Sequence, residues 1–479
     1  MNKDYRLKFI YLSRLTHRTM KAEKIKCYIP IEVKSRELDT KIYMSLKLID
    51  KGYSVVIGSK SQVHKNMFLN KGPFIYFDKG ISESSFTSNF YKAIRASGGL
   101  IIEIQEEGNV SKNSDVLISA HNNSNAKMVS LIFTWGDLAK KKIIESCPKL
   151  NPENIISTGH PSMDLLQKDL IFYYKKLGNN KLKIKPGYIL INTNFAHFNG
   201  YANFEESKIY NDNPTSLYNN FKRDEWLKVE KYQKRIFNEF LKMIRILNKS
   251  LPKKKIIIRP HPVENLQFYK TEFKNYKNIY VTNEGSVREW IVNSEFVIHH
   301  DCTSGLESFI AGKKVISFCP ILNGKIVAKL PIDLSLKFEK TKDLTNYIKD
   351  EYKNSNNQLA KNREAKIEYL KKFIKNVEEK SADIIVNNLL KLNDNLTELK
   401  FSSSKKLFFL GKLFFAKSFK YLFTNNKIKK KLRYRQKKKF SSLNKNEISR
   451  RIEILNGIVL NKKKVKINEL AKNLFLLTN

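Results

Sequence analysis

Short runs of β-branched and aromatic residues recur along this chain, each separated from the next by a segment long enough for a helix, and this spacing restricts the fold more than any other feature. In the first third the runs are KIKCYIPI, YSVVIG, PFIYF, GGLIIEI, SLIFTWG and NIISTG. They are nearly continuous rather than alternating with polar residues, so both faces of each strand are to be buried, as in parallel sheets covered by helices. Helical periodicity from about Leu38 to Lys51, stopped by Gly52, makes the opening a βαβ unit. After a polar, Lys-rich connection the signal restarts with GYILINTN and continues through KKIIIRPHP, KNIYVTNEG, SEFVIHHDCTSG and KKVISFCP. A polar excursion from Phe198 to Asp224 and a helix from about Glu225 to Lys249 interrupt that second series. No period of about 20 to 50 residues repeats, which argues against solenoids and propellers.

The 479 residues exceed one ordinary core, since domains hold about 100 to 200 residues. The expected fold is α/β, with two Rossmann-like doubly wound domains facing a central cleft and a basic helical C-terminal tail. The expected divisions are a basic segment at 1–24, a first domain at 25–165, a linker at 166–186, a second domain at 187–392 and the tail at 393–479. Ligands of open α/β sheets bind outside the carboxyl ends of the strands, so the cleft is the place to look for chemistry.

Charge narrows the partners. The chain carries 89 Lys and Arg against 46 Asp and Glu, a net +43, and residues 401–479 alone hold 22 basic and three acidic residues. Without an aromatic RNP strand or a Cys/His finger, charge is the only argument for nucleic acid, so none is expected as a partner. The cysteines, Cys27, Cys147, Cys302 and Cys319, include no C-x-x-C pair, which fits a reduced compartment without structural zinc. No apolar run reaches the ~18 residues of a spanning helix, and the first 24 residues lack an apolar h-region. The expectation is a cytoplasmic protein, peripherally associated with the inner face of the cell membrane.

Three constellations could carry chemistry. Glu106 and Glu107 precede Gly108 at the end of the LIIEI run, where one carboxylate in the cleft would serve as a general base; a solvated surface pair is the bland alternative. In IIIRPHP, a buried strand ends in Arg259 and His261 between stiffening prolines, a pair suited to a phosphate. In FVIHHDCTSGLESFIAG, a strand runs into Thr303, Ser304 and Gly305 at the start of a short helix, whose free N–H groups attract anions. Ordinary N-capping by Thr303 or Ser304 is the competing reading. Asp301 reads as a turn residue, and Glu307 would reach a ribose hydroxyl or support the cap. Further cleft candidates are His160 in STGHPSMD and Asn192, Thr193 and Asn194 in NTNFAHFNG. No D-x-D motif suggests a metal, and no cofactor is expected beyond a nucleotide-sugar substrate.

The acidic pair before Gly, the His-Pro after a strand and the Ser/Thr motif, in this order, resemble the bacterial sialyltransferases and polysialyltransferases. Over most of its length the chain also resembles the bacterial family of surface carbohydrate biosynthesis proteins. The residues that carry this are YIPIEVKSRELDTKIYMSLKLIDKGYSVVIG, IQEEG, FTWG, TGHPSMDLL, ILINTNF, RPHP and TSGLESFIAGKKVISF. His160, Pro161 and Ser162 stand where that pattern has Asn-Pro-Arg. The resemblance implies a metal-independent, inverting glycosyltransferase of the GT-B type in surface polysaccharide biosynthesis. Glu106 or Glu107 would be base, His261 the phosphate-binding acid, and Thr303 and Ser304 the phosphate cradle. The implied donor is a CMP-activated nonulosonic acid or Kdo, and the acceptor a carbohydrate or lipid-linked carbohydrate. Polyol-phosphate transfer from CDP-glycerol and nucleotide-sugar epimerisation are the rival chemistries, and a basic scaffold for membrane or RNA is the non-enzymatic one.

The tail has its own reading. Residues 401–440 are expected to bind an anionic membrane surface as an interfacial helix. At ~100° per residue, Lys405, Lys406, Lys412, Lys417 and Lys420 share one arc, and Leu407, Phe408, Leu410, Phe414, Phe415, Phe419, Tyr421 and Leu422 fill the other side. Phe409, Leu413 and Phe423 break that separation. The competing expectation is that the apolar face packs on the first domain.

Overall fold

The computed structural model describes residues 24–70, 72–106, 121, 124–179, 184–200, 222–323, 327–354, 363–377, 379–392, 399, 401–424, 426–459 and 464–479. Most of the polar excursion after Phe198, and Glu107 and Gly108 of the acidic motif, lie outside them.

The first unit alternates strand and helix: β1 (Lys26–Ile31), α1 (Lys34–Asp50), β2 (Ser54–Ser59), α2 (Lys60–Met67), β3 (Phe74–Asp78), α3 (Ser85–Ala96), β4 (Gly99–Ile104), β5 (Leu131–Thr134), α4 (Asp137–Ser146) and β6 (Ile155–Ser157). Short α5 (Pro161–Asp164) and α6 (Phe172–Asn179) lead out of it. The second unit comprises β7 (Tyr188–Asn192), α7 (Arg223–Ser250), β8 (Ile256–Arg259), α8 (Leu266–Glu272), β9 (Ile279–Val281), α9 (Val287–Asn293), β10 (Ser294–His299), α10 (Thr303–Ile310), β11 (Lys314–Phe318), α11 (Lys329–Leu334) and β12 (Leu336–Phe338). It continues with α12 (Thr341–Asn354) and α13 (Arg363–Lys371), after which α14 (Ser381–Leu390), α15 (Ser403–Phe423), α16 (Asn426–Lys439), α17 (Lys445–Val459) and the strands β13 (Lys466–Ala471) and β14 (Leu474–Thr478) complete the described chain.

The strand orders are β13-β14-β2-β1-β3-β4-β5-β6 and β12-β11-β10-β7-β8-β9. Among the described strands, every pairing from β1 to β12 is parallel, and those of β14 with β13 and β2 are antiparallel. These are two doubly wound Rossmann-like sheets, the arrangement of the GT-B type. The direction of winding reverses between β1 and β3 in the first sheet and between β7 and β10 in the second, which marks the two crevices where ligands of such sheets sit. The strands that line them are buried almost throughout, as their continuous apolar runs require.

The chain does not stay with the second sheet to Leu392. Helix α14 packs on α1 and α5 of the first unit, and the Asp164 carboxylate accepts the N–H groups of Ser381 and Ala382, both at 2.9 Å, in place of a local cap. Gly136 makes room for the return, because a Cβ there would overlap the backbone of Phe373. One apolar cluster runs from β1 and β4 through Tyr173, Tyr174 and Leu177 of α6 to Tyr188, Trp290 and Val297 of the second unit, so the units share a core.

The tail is helical through α15, α16 and α17 and then adds what the sequence reading did not anticipate, a hairpin. Strand β14 lies antiparallel along β2, Leu474 opposite Gly58 and Leu477 opposite Val55. Helix α17 packs on α1, where Arg451 Nε donates to Asp39 Oδ1 at 2.8 Å and the Tyr173 hydroxyl donates to the same oxygen at 2.6 Å. Helix α15 lies along α3, with Leu413 buried and Phe409 and Leu410 against the same cluster. The competing expectation for the tail thus holds for one face of α15. No described helix is long and apolar enough to cross a membrane.

Candidate active site

Helix α1 begins at Lys34, ahead of the expected Leu38, because its polar first turn is fixed from within. The Glu37 carboxylate accepts the backbone N–H groups of Glu32, at 2.9 Å, and Val33, at 3.1 Å, satisfying donors that a helix N-terminus otherwise leaves open. This sets Arg36 and Lys41 at the carboxyl end of the first sheet.

Lys41 Nζ lies 3.3 Å from Glu106 Oε1, just beyond β4, and the other oxygen of Glu106 lies 3.6 Å from His160 Nε2. The backbone N–H of Ser162 donates to His160 Nδ1 at 3.2 Å, so Nδ1 is an acceptor and the proton sits on Nε2, toward Glu106. Trp135 of the FTWG run supports both residues. Its indole N–H donates to the Gln105 carbonyl at 2.7 Å, and its ring lies 5.6 Å from the His160 ring. Lys79 Nζ pairs with Glu32 at 2.8 Å and Glu37 at 3.4 Å. Burial pushes the Glu106 carboxyl up, but Lys41, the hydrogen bond from His160, and Lys79 together hold it well below the usual carboxylate range. Glu106 is ionised across the physiological range, and its side chain keeps about a fifth of its surface exposed.

The second unit offers a different edge. Asn192, at the end of β7, is buried, and neither the oxygen nor the nitrogen of its amide has a hydrogen-bond partner among the described residues. Arg259, opposite it on β8, donates to the carbonyls of Glu284 at 2.7 Å, Asn283 at 3.3 Å and Gly285 at 2.6 Å. Expected to meet a phosphate, Arg259 instead braces the 283–285 loop. Thr193, expected in the cleft, donates from its hydroxyl to the buried Glu264 carboxyl at 2.9 Å, as does Tyr269 at 2.7 Å. The N–H of His261 donates to Glu264 at 3.1 Å, so this cluster fixes the His261 loop. The carbonyl of Asn194 accepts from Gln233 at 3.2 Å.

Burial, followed by the charge of Arg36 from the first unit, pushes His261 down to about 4. A neutral imidazole results, able to donate a hydrogen bond. Thr303, Ser304 and Gly305 form the first turn of α10 rather than its cap; Cys302 is the N-cap and makes no side-chain capping bond. The helix N-terminus therefore keeps an electrostatic demand for an anion. Gly305 serves packing, since a Cβ there would overlap the His299 ring. Glu307, expected near a ribose, accepts from Arg288 Nε at 2.9 Å and pairs with Nη2 at 2.7 Å. Arg288 Nη1 donates in turn to the Arg36 carbonyl at 3.1 Å, which ties α9 and α10 to the start of α1.

The fold thus sets Glu106 beside His160 within the first unit, and brings Arg36 of that unit against Arg288 of the second, where its charge acts on His261. Arg36, Lys41 and Lys79 carry no role in the sequence reading. For Arg36 and Lys41 the signal was the packing of ionic residues into EVKSRELDTK, the first turns of an otherwise apolar helix; Lys79, after β3, carried none. Among the described residues no group of three or more His, Cys, Asp or Glu is placed to hold a metal ion.

No protein-family model and no curated protein matches the sequence. Among solved structures the chain is similar to the wall teichoic acid polymerase TagF, with a TM-score of 0.48 and 12% identity over 82% of this chain and 98% of that one. It is also similar to the UDP-GlcNAc 2-epimerase of Methanocaldococcus jannaschii, with a TM-score of 0.44 and 11% identity over 77% of this chain and 100% of that one. For the UDP-GlcNAc 2-epimerase of Neisseria meningitidis the TM-score is 0.44 and the identity 13%, over 77% of this chain and 100% of that one.

Proposed function

We propose that this cleft transfers a glycosyl group from a nucleotide-activated sugar to a hydroxyl of a carbohydrate acceptor, with inversion at the anomeric carbon. One observation carries the reading: Lys41 of α1 lies 3.3 Å from Glu106 at the edge of the first sheet, while the Arg36 carbonyl of the same helix accepts from Arg288 of the second unit at 3.1 Å. Helix α1 thereby touches both edges, and a proton acceptor and an anion site held to a common element favour the alignment a displacement needs.

In the transfer, the acceptor oxygen bonds to the anomeric carbon as the bond from that carbon to the phosphate oxygen breaks, and the electron pair leaves with the nucleotide. The hydroxyl proton passes to Glu106. A weakly basic carboxylate suffices, because the hydroxyl becomes strongly acidic only once its oxygen has begun to bond to the electron-poor carbon. The departing phosphate is stabilised by the N-terminus of α10 and by the imidazole N–H of His261. Its negative charge offsets that of Arg36, so His261 gains basicity as the nucleotide binds. These groups neutralise the leaving phosphate without calling on a metal.

The donor we infer from the three motifs is a CMP-activated nonulosonic acid or Kdo, and the acceptor is a growing surface polysaccharide. Incubation with CMP-, CDP- and UDP-linked donors tests this. A glycoside of inverted anomeric configuration, identified by NMR, is expected from a CMP-sugar. A glycerol-phosphate ester from CDP-glycerol would replace the reading with polyol-phosphate transfer.

A further inference from the structure

Helix α15 has two apolar faces, and only one is covered by other described residues. Phe409, Leu410 and Leu413 pack against α3 and the first-unit core. Leu407, Phe408, Phe414 and Phe415 project outward, with relative exposures of 68%, 58%, 68% and 73%. Their spacing, with 414 and 415 about two turns beyond 407 and 408, aligns them in one stripe along the helix. Exposed Lys405, Lys412 and Lys417 flank it, and the Lys412 ammonium lies 4.4 Å from the centre of the Phe408 ring.

Helix α16 continues the surface with exposed Lys430, Arg433 and Lys437. Between residues 401 and 440 the sequence has fourteen Lys and Arg and no Asp or Glu. This charge selects among occupants. A second copy meeting this face by two-fold symmetry would set the same cations against each other, whereas an anionic lipid surface accepts aromatic side chains at the headgroup boundary and lysines at the phosphates. We propose that the outward face of α15, continued by α16, docks the protein on an anionic membrane surface.

The geometry adds an orientation. Lys439, at the end of α16, pairs with Glu32 at 2.6 Å, and Glu32 follows β1 at the carboxyl edge of the first sheet. The docking element therefore ends beside the rim that holds Lys79, Lys41 and Glu106. A lipid-borne acceptor would reach Glu106 along that rim, a corollary that rests on the proposed transfer; the docking itself does not.

Sedimentation of the full chain with vesicles tests the proposal. Phosphatidylcholine vesicles containing phosphatidylglycerol should carry the protein down, pure phosphatidylcholine should not, and added salt should weaken the association. The double variant Phe414→Ser, Phe415→Ser should lose about tenfold or more in partitioning, with an unchanged melting temperature. The triple variant Lys430→Glu, Arg433→Glu, Lys437→Glu should lose binding while keeping its circular dichroism. Wild-type partitioning by the serine variant, or failure of the wild type to sediment, overturns the proposal. A serine variant that keeps vesicle binding but passes from dimer to monomer in size exclusion would assign the stripe to a second copy instead.

Discussion

The carboxyl edges of the two sheets meet their polar demands in opposite ways. On the first, Glu32, Glu37, Lys41, Lys79, Glu106 and His160 satisfy one another, and the Glu106 charge is balanced before any ligand arrives. On the second, the Asn192 amide is buried without partners among the described residues, α10 starts without a side-chain cap, and His261 is held neutral. The satisfied edge suits a group that must stay in one charge state. The unsatisfied edge carries a standing cost that a phosphate would relieve, since an unpaired buried polar group costs about 1–3 kcal/mol.

The largest effect should come from the satisfied edge. Glu106→Gln removes the proton acceptor and should lower kcat about a thousandfold while leaving nucleotide affinity, measured by calorimetry, near that of the wild type. Equal loss of affinity would mean that the two edges do not divide the work. Next, His261→Ala should lower turnover more than about tenfold and weaken nucleotide binding. In the wild type, His261 starts at about 4. A phosphate that raises this value makes binding take up a proton, so affinity should rise as pH falls from about 7 to about 5, and the alanine variant should flatten that slope. A wild-type affinity independent of pH would show that the nucleotide leaves His261 untouched.

Asn192→Leu sharpens the contrast through stability. Replacing an unpaired buried amide with an apolar group of similar size should raise unfolding stability by about 1 kcal/mol and weaken the nucleotide complex, a trade expected only at the unfilled edge. A destabilised leucine variant would indicate that the amide is already paired in the free protein. The smallest effect at neutral pH should be that of Lys41→Met. Losing this cation raises Glu106 toward the ordinary carboxylate range, so the variant should lose activity as pH falls toward about 4 to 5, where the wild type keeps its base ionised. Superimposable acid limbs would assign the depression of Glu106 to His160 and Lys79 alone.

The parallel sheets were legible because each central strand is a continuous apolar run, and Glu106, His160 and His261 because they stand where such runs end. What was hidden depends on pairing across distance. Arg259 and Glu307 have the chemistry of ligand contacts, but their partners, the carbonyls of residues 283–285 and the Arg288 guanidinium, are brought to them by folding. Lys41 reads as one more solvated lysine until α1 is laid against the end of β4. In α15, Phe409 and Leu413 broke the expected amphipathic separation; they belong to a second apolar face, the one that packs on α3. The hairpin was masked by its basic surroundings, and its registration on β2 is a relation between the two ends of the described chain.

That registration has a consequence for biosynthesis. A ribosome delivers β2 long before β14, so until β14 emerges the outer edge of β2 carries unpaired N–H and C=O groups, able to recruit any passing strand. The first unit cannot close its sheet until the second has emerged. Production is then limited by how long this half-built edge waits, and premature termination before Leu474 would leave a polypeptide prone to aggregate however well its cleft was formed.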